Sequence, residues 1–443
     1  MTSRTARAFL IMLGVAGVLR FGIAVYNAPP GARGDYAATL PGAYAKTLNA
    51  ALWNSPDLRG SYVYQREMYV YGPTQYLVLF PTVFLNSYAQ IARVLGYLYA
   101  AALAATIFLL ARVIADRGDA FWTPLAVVAG LVLLFPPTYQ VYIQREFEVV
   151  VFLCLVLATY LLIKRQEGWA GALMGLVTWF KLWPIAFVAY FLVKRRFRAA
   201  VAFVLASCLT LGLGQLAFGL DRFIVLNPTA ASSMYGGRFI LSSLIPPFHP
   251  ATFVTTAGDA NSAVGLGFCR NWYQSEQTAV AVRWAVCRLA YSYWWLSAPV
   301  LFYTIAAGFS LAALTAFVLV RRRDRLSEDE QRLSTICEMS LVMIAAALML
   351  SAHYYYFIYL TLPLAAVAYQ YVRNGDRIKL LTLVLAYLLL SAFLIPLSVG
   401  SSLFGVDIWR MYVENAVYLY GEIILTTLIL WEYTTIGLRP AAR

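Results

Sequence analysis

The residues best suited to chemistry are one carboxylate near the start of the chain and a few cations at the edges of apolar runs. Asp35 stands in Gly34-Asp35-Tyr36, soon after the first apolar run ends. A carboxylate anchored there suits a general base that deprotonates a hydroxyl acceptor. A plain turn residue beside Gly34 is the other reading. Asp57, in Ser55-Pro56-Asp57, fits a turn or helix cap better than a base. Gln144-Arg145-Glu146-Phe147-Glu148 opens an otherwise apolar helix. Carboxylates at a helix start offset the macrodipole, which accounts for Glu146 and Glu148 as capping charges. Arg145 is opposed by the same dipole, so its presence points to a phosphate or carboxylate partner. Lys181 is a lone cation between Phe180 and Leu182-Trp183-Pro184. It either snorkels to an interface or acts as a point charge on a lipid-linked phosphate. His353 precedes Tyr354-Tyr355-Tyr356 at the junction of two apolar runs, as a structural histidine or a functional one. Arg238, in Tyr235-Gly236-Gly237-Arg238, and Asn261-Ser262 are weaker signals. Tyr62, Tyr64, Tyr69 and Tyr71 suit either a sugar platform or an interfacial belt.

The elements that must position these groups are membrane helices. Of 443 residues, 61% are hydrophobic and 12% charged, against about 25% charged in soluble domains. These proportions exclude a soluble multidomain protein and intrinsic disorder. The net charge of +13 raises the question of nucleic acid. Placement answers it, since about 20 of the 34 Lys and Arg fall in short segments that come out on one side of the membrane. We therefore expect no nucleic-acid partner. With two histidines and no CxxC pair, a metal site is not expected either. Cys269 and Cys287 share the longest polar segment and would pair if it lies outside the cytoplasm.

Hydropathy predicts an all-α polytopic membrane protein, one integral domain over 1–443, with about twelve transmembrane helices. Candidate spans fall near 8–26, 89–112, 120–137, 146–163, 168–180, 183–195, 199–219, 297–320, 335–352, 355–372, 379–397 and 415–434. The pair 168–180 and 183–195 is short, and reads as a hairpin with its tip at Phe180-Lys181-Leu182-Trp183-Pro184. Two long segments, 27–88 (with an interfacial apolar stretch at 74–86) and 220–296, are expected outside. Lys164-Arg165, Lys194 to Arg198, Arg321 to Arg325, and Arg373 to Lys379 then all fall in the cytoplasm, as do both termini. No nucleotide-binding glycine pattern is present.

The order of several short motifs resembles glycosyltransferase family 87, the polyprenyl-phosphate-sugar-dependent transferases with the GT-C membrane fold. Gly34-Asp35-Tyr36 is similar to that family's Gly-Asp-aromatic element. Tyr71-Gly72-Pro73 resembles its Tyr-Pro-Pro, with Gly72 departing from the pattern. Gln144 stands where the family has Gly-Gln-Val-Asn, with Ile143 in place of Gly and Arg145-Glu146 in place of Val-Asn. The run from Trp169 through Lys181-Leu182-Trp183-Pro184 to Lys194-Arg195-Arg196-Phe197-Arg198 resembles its apolar helix, Lys-aromatic-Pro turn and basic stop. Asn261-Ser262 is similar to its loop Asn-x-Ser, one residue short.

The resemblance implies an inverting transfer of mannose or arabinofuranose from a polyprenyl-phosphate carrier to an acceptor outside a bacterial inner membrane. The acceptor would be a glycolipid, a polysaccharide or an exported protein. Asp35 would be the general base, and Lys181, Arg145, His353 and Arg238 would meet the charge on the leaving phosphate. Gln144, Glu146 and Tyr71 would complete the substrate-binding set, with no metal and no cofactor beyond the lipid-linked donor. The alternative of a different class is a transporter or flippase for a lipid-linked envelope precursor. It requires charges along a midplane pathway, for which Arg20, Glu338 and Glu422 are the candidates.

Overall fold

The computed structural model describes residues 14–22, 88–115, 121–144, 147–181, 183–218, 297–319, 326–348, 354–391 and 415–438, with isolated residues at 12, 74, 78, 282, 285–287 and 412. The described residues are helical, with no strand among them. The helices, in chain order, are α1 (Tyr88–Ile114), α2 (Trp122–Leu134), α3 (Pro136–Gln144), α4 (Glu148–Ile163), α5 (Glu167–Val177), α6 (Ala186–Val193) and α7 (Phe197–Phe218). They continue with α8 (Ala298–Leu319), α9 (Glu328–Met343), α10 (Thr361–Asn374), α11 (Arg377–Ser391) and α12 (Val417–Leu438). Helical residues are described within each predicted span.

Length tells them apart. Among the described residues, Arg93–Ile114, Val300–Phe317 and Glu328–Leu348 are long and apolar enough to cross a membrane, and the bent pair Trp122–Leu134 with Pro136–Tyr142 adds a fourth. α4 has 16 residues, which rise about 24 Å against a hydrocarbon core of about 30 Å. The short hairpin predicted at 168–195 is present: α5 ends at Val177, the chain turns through Thr178–Lys181, and a 3-10 turn at Trp183–Ile185 leads into α6. Of the two long segments, 27–88 and 220–296, few residues are described. Val282, Ala285, Val286 and Cys287 are helical, and their near-i,i+4 spacing buries them in the core.

α2 and α3 meet at 67°. Pro136 and Pro137 lack the N–H groups that would continue α2, so the helix breaks there. The Thr138 N–H donates to the Phe135 carbonyl, which takes away the ordinary helical partner of the Leu134 carbonyl. Arg20 reaches that carbonyl, with Nη1 3.5 Å away. A cation inside an apolar span is costly unless it snorkels or finds a partner, and Arg20 has found one.

Two helix ends carry the basic loops. The Gln166 N–H donates to the Leu161 carbonyl at 2.8 Å and the Arg165 N–H to Leu162 at 3.1 Å. Arg196 and Arg195 repeat the pattern on Phe191 and Leu192, at 2.7 and 3.0 Å. These are Schellman closures, but the left-handed position is an arginine, with φ of 60° at Arg165 and 55° at Arg195. An L residue there costs about 1–2 kcal/mol.

The tightest helix contact is α5 on α7. Gly171 and Gly175, one helical turn apart, face the backbone of Ala199 and Phe203, and a Cβ at either glycine would overlap a backbone carbonyl. This is close approach through a small-xxx-small pair, as expected between membrane helices. Because backbone cannot retreat as a side chain can, Gly175→Ala is expected to lower thermal stability by about 1–3 kcal/mol in detergent. Wild-type melting behaviour in Gly175→Ala would show that the two helices part without cost.

At the end of the bundle where α6 closes, a charge cluster is buried. Lys194 Nζ lies 2.8 Å from Glu338 Oε1, and Tyr190 and Tyr433 donate their hydroxyls to the same carboxylate at 2.7 and 2.8 Å. Arg196 stands 3.9 Å from both Glu338 and Glu167. The cluster joins α6, α9 and α12 with the start of α5, so Lys194 and Arg196 are more than orientation signals. Glu338→Ala leaves Lys194 buried without its carboxylate and Arg196 with Glu167 alone, and is expected to destabilise by about 3–5 kcal/mol. An unchanged melting temperature in that variant would contradict a structural role for the cluster.

Candidate functional site

The start of α4 and the tip of the α5–α6 hairpin carry a second buried ion pair. Glu148 is the first residue of α4, and the turn after α5 brings Lys181 back to it over 33 positions of sequence. Lys181 Nζ lies 2.9 Å from Glu148 Oε1, with the carboxylate side chain 0% and the lysine side chain 11% exposed. Glu148 is therefore more than a capping charge. Phe147, the residue at the cap, makes no side-chain cap bond, and the carboxylate is committed to a cation from another helix. Lys181 likewise does not snorkel into a bare interface.

Aromatic rings enclose the pair. A 3-10 helix over Tyr354–Leu360 is fully buried. Side chains three apart eclipse in such a helix, which stacks Tyr356 near Tyr359 with ring centroids 6.0 Å apart. Lys181 Nζ sits 5.3 Å from the Tyr356 ring centroid, a cation–π contact. Trp183, just after the hairpin tip, packs on Tyr359 at 5.2 Å. Phe147 packs on Phe180 at 5.4 Å, and Phe152 on Tyr359 at 6.1 Å. Three separate elements (the start of α4, the hairpin tip and the 3-10 helix) thus converge on one charged pair. Glu148 Oε2 is buried without a hydrogen-bond partner among the described residues, and the indole N–H of Trp183 and the hydroxyl of Tyr359 are buried with no partner there beyond each other.

Of the site residues read from the sequence, Lys181 is the one whose side chain is described. Asp35, Tyr71, Arg145, Glu146, Arg238 and His353 lie outside the described residues, as do Asp57 and Asn261-Ser262. Gln144 is described only as the last residue of α3. Arg145 and Glu146 nevertheless stand in the short stretch between α3 and Glu148, and His353 directly precedes the 3-10 helix.

In the sequence Glu148 has the position of a cap, and nothing there marks Tyr359. One signal was available. Lys181 is the only cation between Arg165 and Lys194, and a lone cation within an apolar hairpin needs a carboxylate from elsewhere. Glu422 is buried at 4% exposure, its Oε1 without a partner among the described residues. No group of three or more His, Cys, Asp or Glu among the described residues could hold a metal ion. Cys287 is buried and disulfide-bonded, while Cys269 lies outside the described residues.

Comparison with known proteins gives one match. The family model for glycosyltransferase family 87 fits residues 69–352. That segment includes Glu148, Lys181 and Trp183; Asp35 lies before it, and His353 follows its last residue. No curated protein and no solved structure matches the chain.

Proposed function

Since the chain belongs to glycosyltransferase family 87 and is a membrane glycosyltransferase with a sugar donor and an acceptor, we propose that its donor is a polyprenyl-phosphate sugar. The sugar is mannose or arabinofuranose, and transfer takes place on the outer face of a bacterial inner membrane. The acceptor hydroxyl belongs to a glycolipid, a polysaccharide or an exported protein. The fold is a GT-C-type bundle with both termini in the cytoplasm. The observation that carries this reading is the buried Lys181–Glu148 pair among aromatic rings, at helix ends away from the basic loops. The disulfide at Cys287, in the segment 220–296, suits an oxidising compartment.

In this mechanism the Asp35 carboxylate takes the proton of the acceptor hydroxyl as its oxygen attacks the anomeric carbon. The bond from that carbon to the phosphate oxygen breaks on the opposite face, the electron pair leaves with the lipid phosphate, and configuration inverts. Negative charge grows on the phosphate, where a preorganised cation stabilises it most. Lys181, oriented by Glu148 on one side and the Tyr356 ring on another, supplies that charge. Arg145, His353 and Arg238 supplement it, and Gln144, Glu146 and Tyr71 line the substrate site. No metal takes part.

The test is transfer itself. Purified protein in detergent, given radiolabelled polyprenyl-phosphate-mannose or polyprenyl-phosphate-arabinofuranose with membrane lipid extract and no added metal, is expected to place label in a new product from one donor. Donor crossing sealed vesicles unaltered would instead favour the flippase, although Arg20 and Glu338 already have structural partners.

A further inference from the structure

Buried tyrosine hydroxyls and indole N–H groups ordinarily find a hydrogen-bond partner. Beside the Lys181–Glu148 pair, Glu148 Oε2 has none among the described residues, and Trp183 Nε1 and the Tyr359 hydroxyl have no protein partner there beyond each other. Each such group, left without water or a partner, is costly. They are also close together. Trp183 and Tyr359 pack ring on ring at 5.2 Å, and Glu148 and Lys181 are charged neighbours of the Tyr359 hydroxyl. Glu148 and Tyr359 are each 0% exposed. Two donors and one anionic acceptor beside an aromatic face make up the group set that holds a sugar ring, whose hydroxyls both give and take hydrogen bonds.

We infer that Glu148, Tyr359 and Trp183 form a hydroxyl-reading subsite for the sugar ring of the donor, next to Lys181 at its phosphate. The inference rests on the proposed reaction and deepens it. Glu148 Oε2 accepts from a sugar hydroxyl, while the Tyr359 hydroxyl and the Trp183 N–H donate to sugar oxygens. Glu148 thereby has two tasks: one oxygen fixes the lysine and the other reads the sugar. The arrangement explains why the carboxylate is retained in an apolar setting where a dipole cap would not need burial.

The experiment compares equilibrium binding of polyprenyl-phosphate-mannose, polyprenyl-phosphate-arabinofuranose and sugar-free polyprenyl phosphate to wild type, Tyr359→Phe and Trp183→Phe. Each variant keeps an aromatic ring. Each is expected to bind a sugar-bearing lipid about three- to tenfold more weakly, the worth of one hydrogen bond, with unchanged affinity for the sugar-free lipid. Thermal stability of Tyr359→Phe should stay near wild type, because the buried hydroxyl has no partner there beyond the Trp183 indole. Wild-type affinity for every lipid, or an equal loss on sugar-bearing and sugar-free lipids, would overturn the subsite. Wild-type protein that binds neither kind of lipid would overturn the proposed reaction itself, and the subsite with it.

Discussion

Asp35→Asn is expected to abolish transfer, lowering turnover by about 10²- to 10⁴-fold, the usual worth of a positioned general base. Asparagine keeps the size and the carbonyl oxygen of aspartate but cannot take a proton at neutral pH. Donor affinity should therefore hold while the chemical step fails. The reading to make is turnover at saturating donor, set beside equilibrium binding of the same donor. Near-normal turnover in Asp35→Asn would reassign the base, with Glu146 or Asp57 next in line. A parallel loss of binding would show that Asp35 holds the donor instead.

The second large effect concerns the pair at the hairpin tip. Lys181→Ala strips the partner from a carboxylate whose side chain is 0% exposed, so it is expected to cost about 3–5 kcal/mol of stability. It should also weaken donor binding, because the cation assigned to the phosphate is gone. The two losses can be separated. Lys181→Met combined with Glu148→Gln removes both charges and retains side chains of similar volume, which is often neutral for stability. That double variant is expected to melt near wild type and still transfer poorly. Recovered transfer in a well-folded double variant would make the pair a structural element with no part in catalysis.

The outline of the fold was legible because apolar runs and basic stops are local properties. The hairpin tip at Phe180 to Pro184 could be placed from two short runs around one Lys-aromatic-Pro turn, and the helices fall where hydropathy put them. Lengths were less legible. Pro136 and Pro137 turn a predicted span at 120–137 into two helices meeting at 67°, a break that a window average smooths over. The residues at Tyr354–Leu360 read as the start of a span, yet they form a 3-10 helix that presents Tyr356 and Tyr359 to the hairpin tip.

Pairing between distant helices was the least legible property. Glu148 has the position of a cap and the sequence context of a cap, and only the return of the chain at Lys181 gives it another role. Lys194 and Arg196 belong to a run that any charge count assigns to a cytoplasmic loop, but both side chains are 4% exposed and face Glu338. Periodicity records which face of a helix is apolar. It carries no information on which carboxylate another helix will bring to that face.

In the proposed reaction the sugar arrives on a lipid phosphate rather than on a soluble nucleotide. The most direct measurement gives purified wild-type protein the same labelled sugar in two forms, as the polyprenyl-phosphate ester and as the nucleotide diphosphate ester, with one acceptor extract. Label is expected in product from the lipid-linked sugar alone. Transfer from the nucleotide sugar would contradict the account, because it would call for a cytoplasmic donor site at the opposite end of the bundle from Lys181.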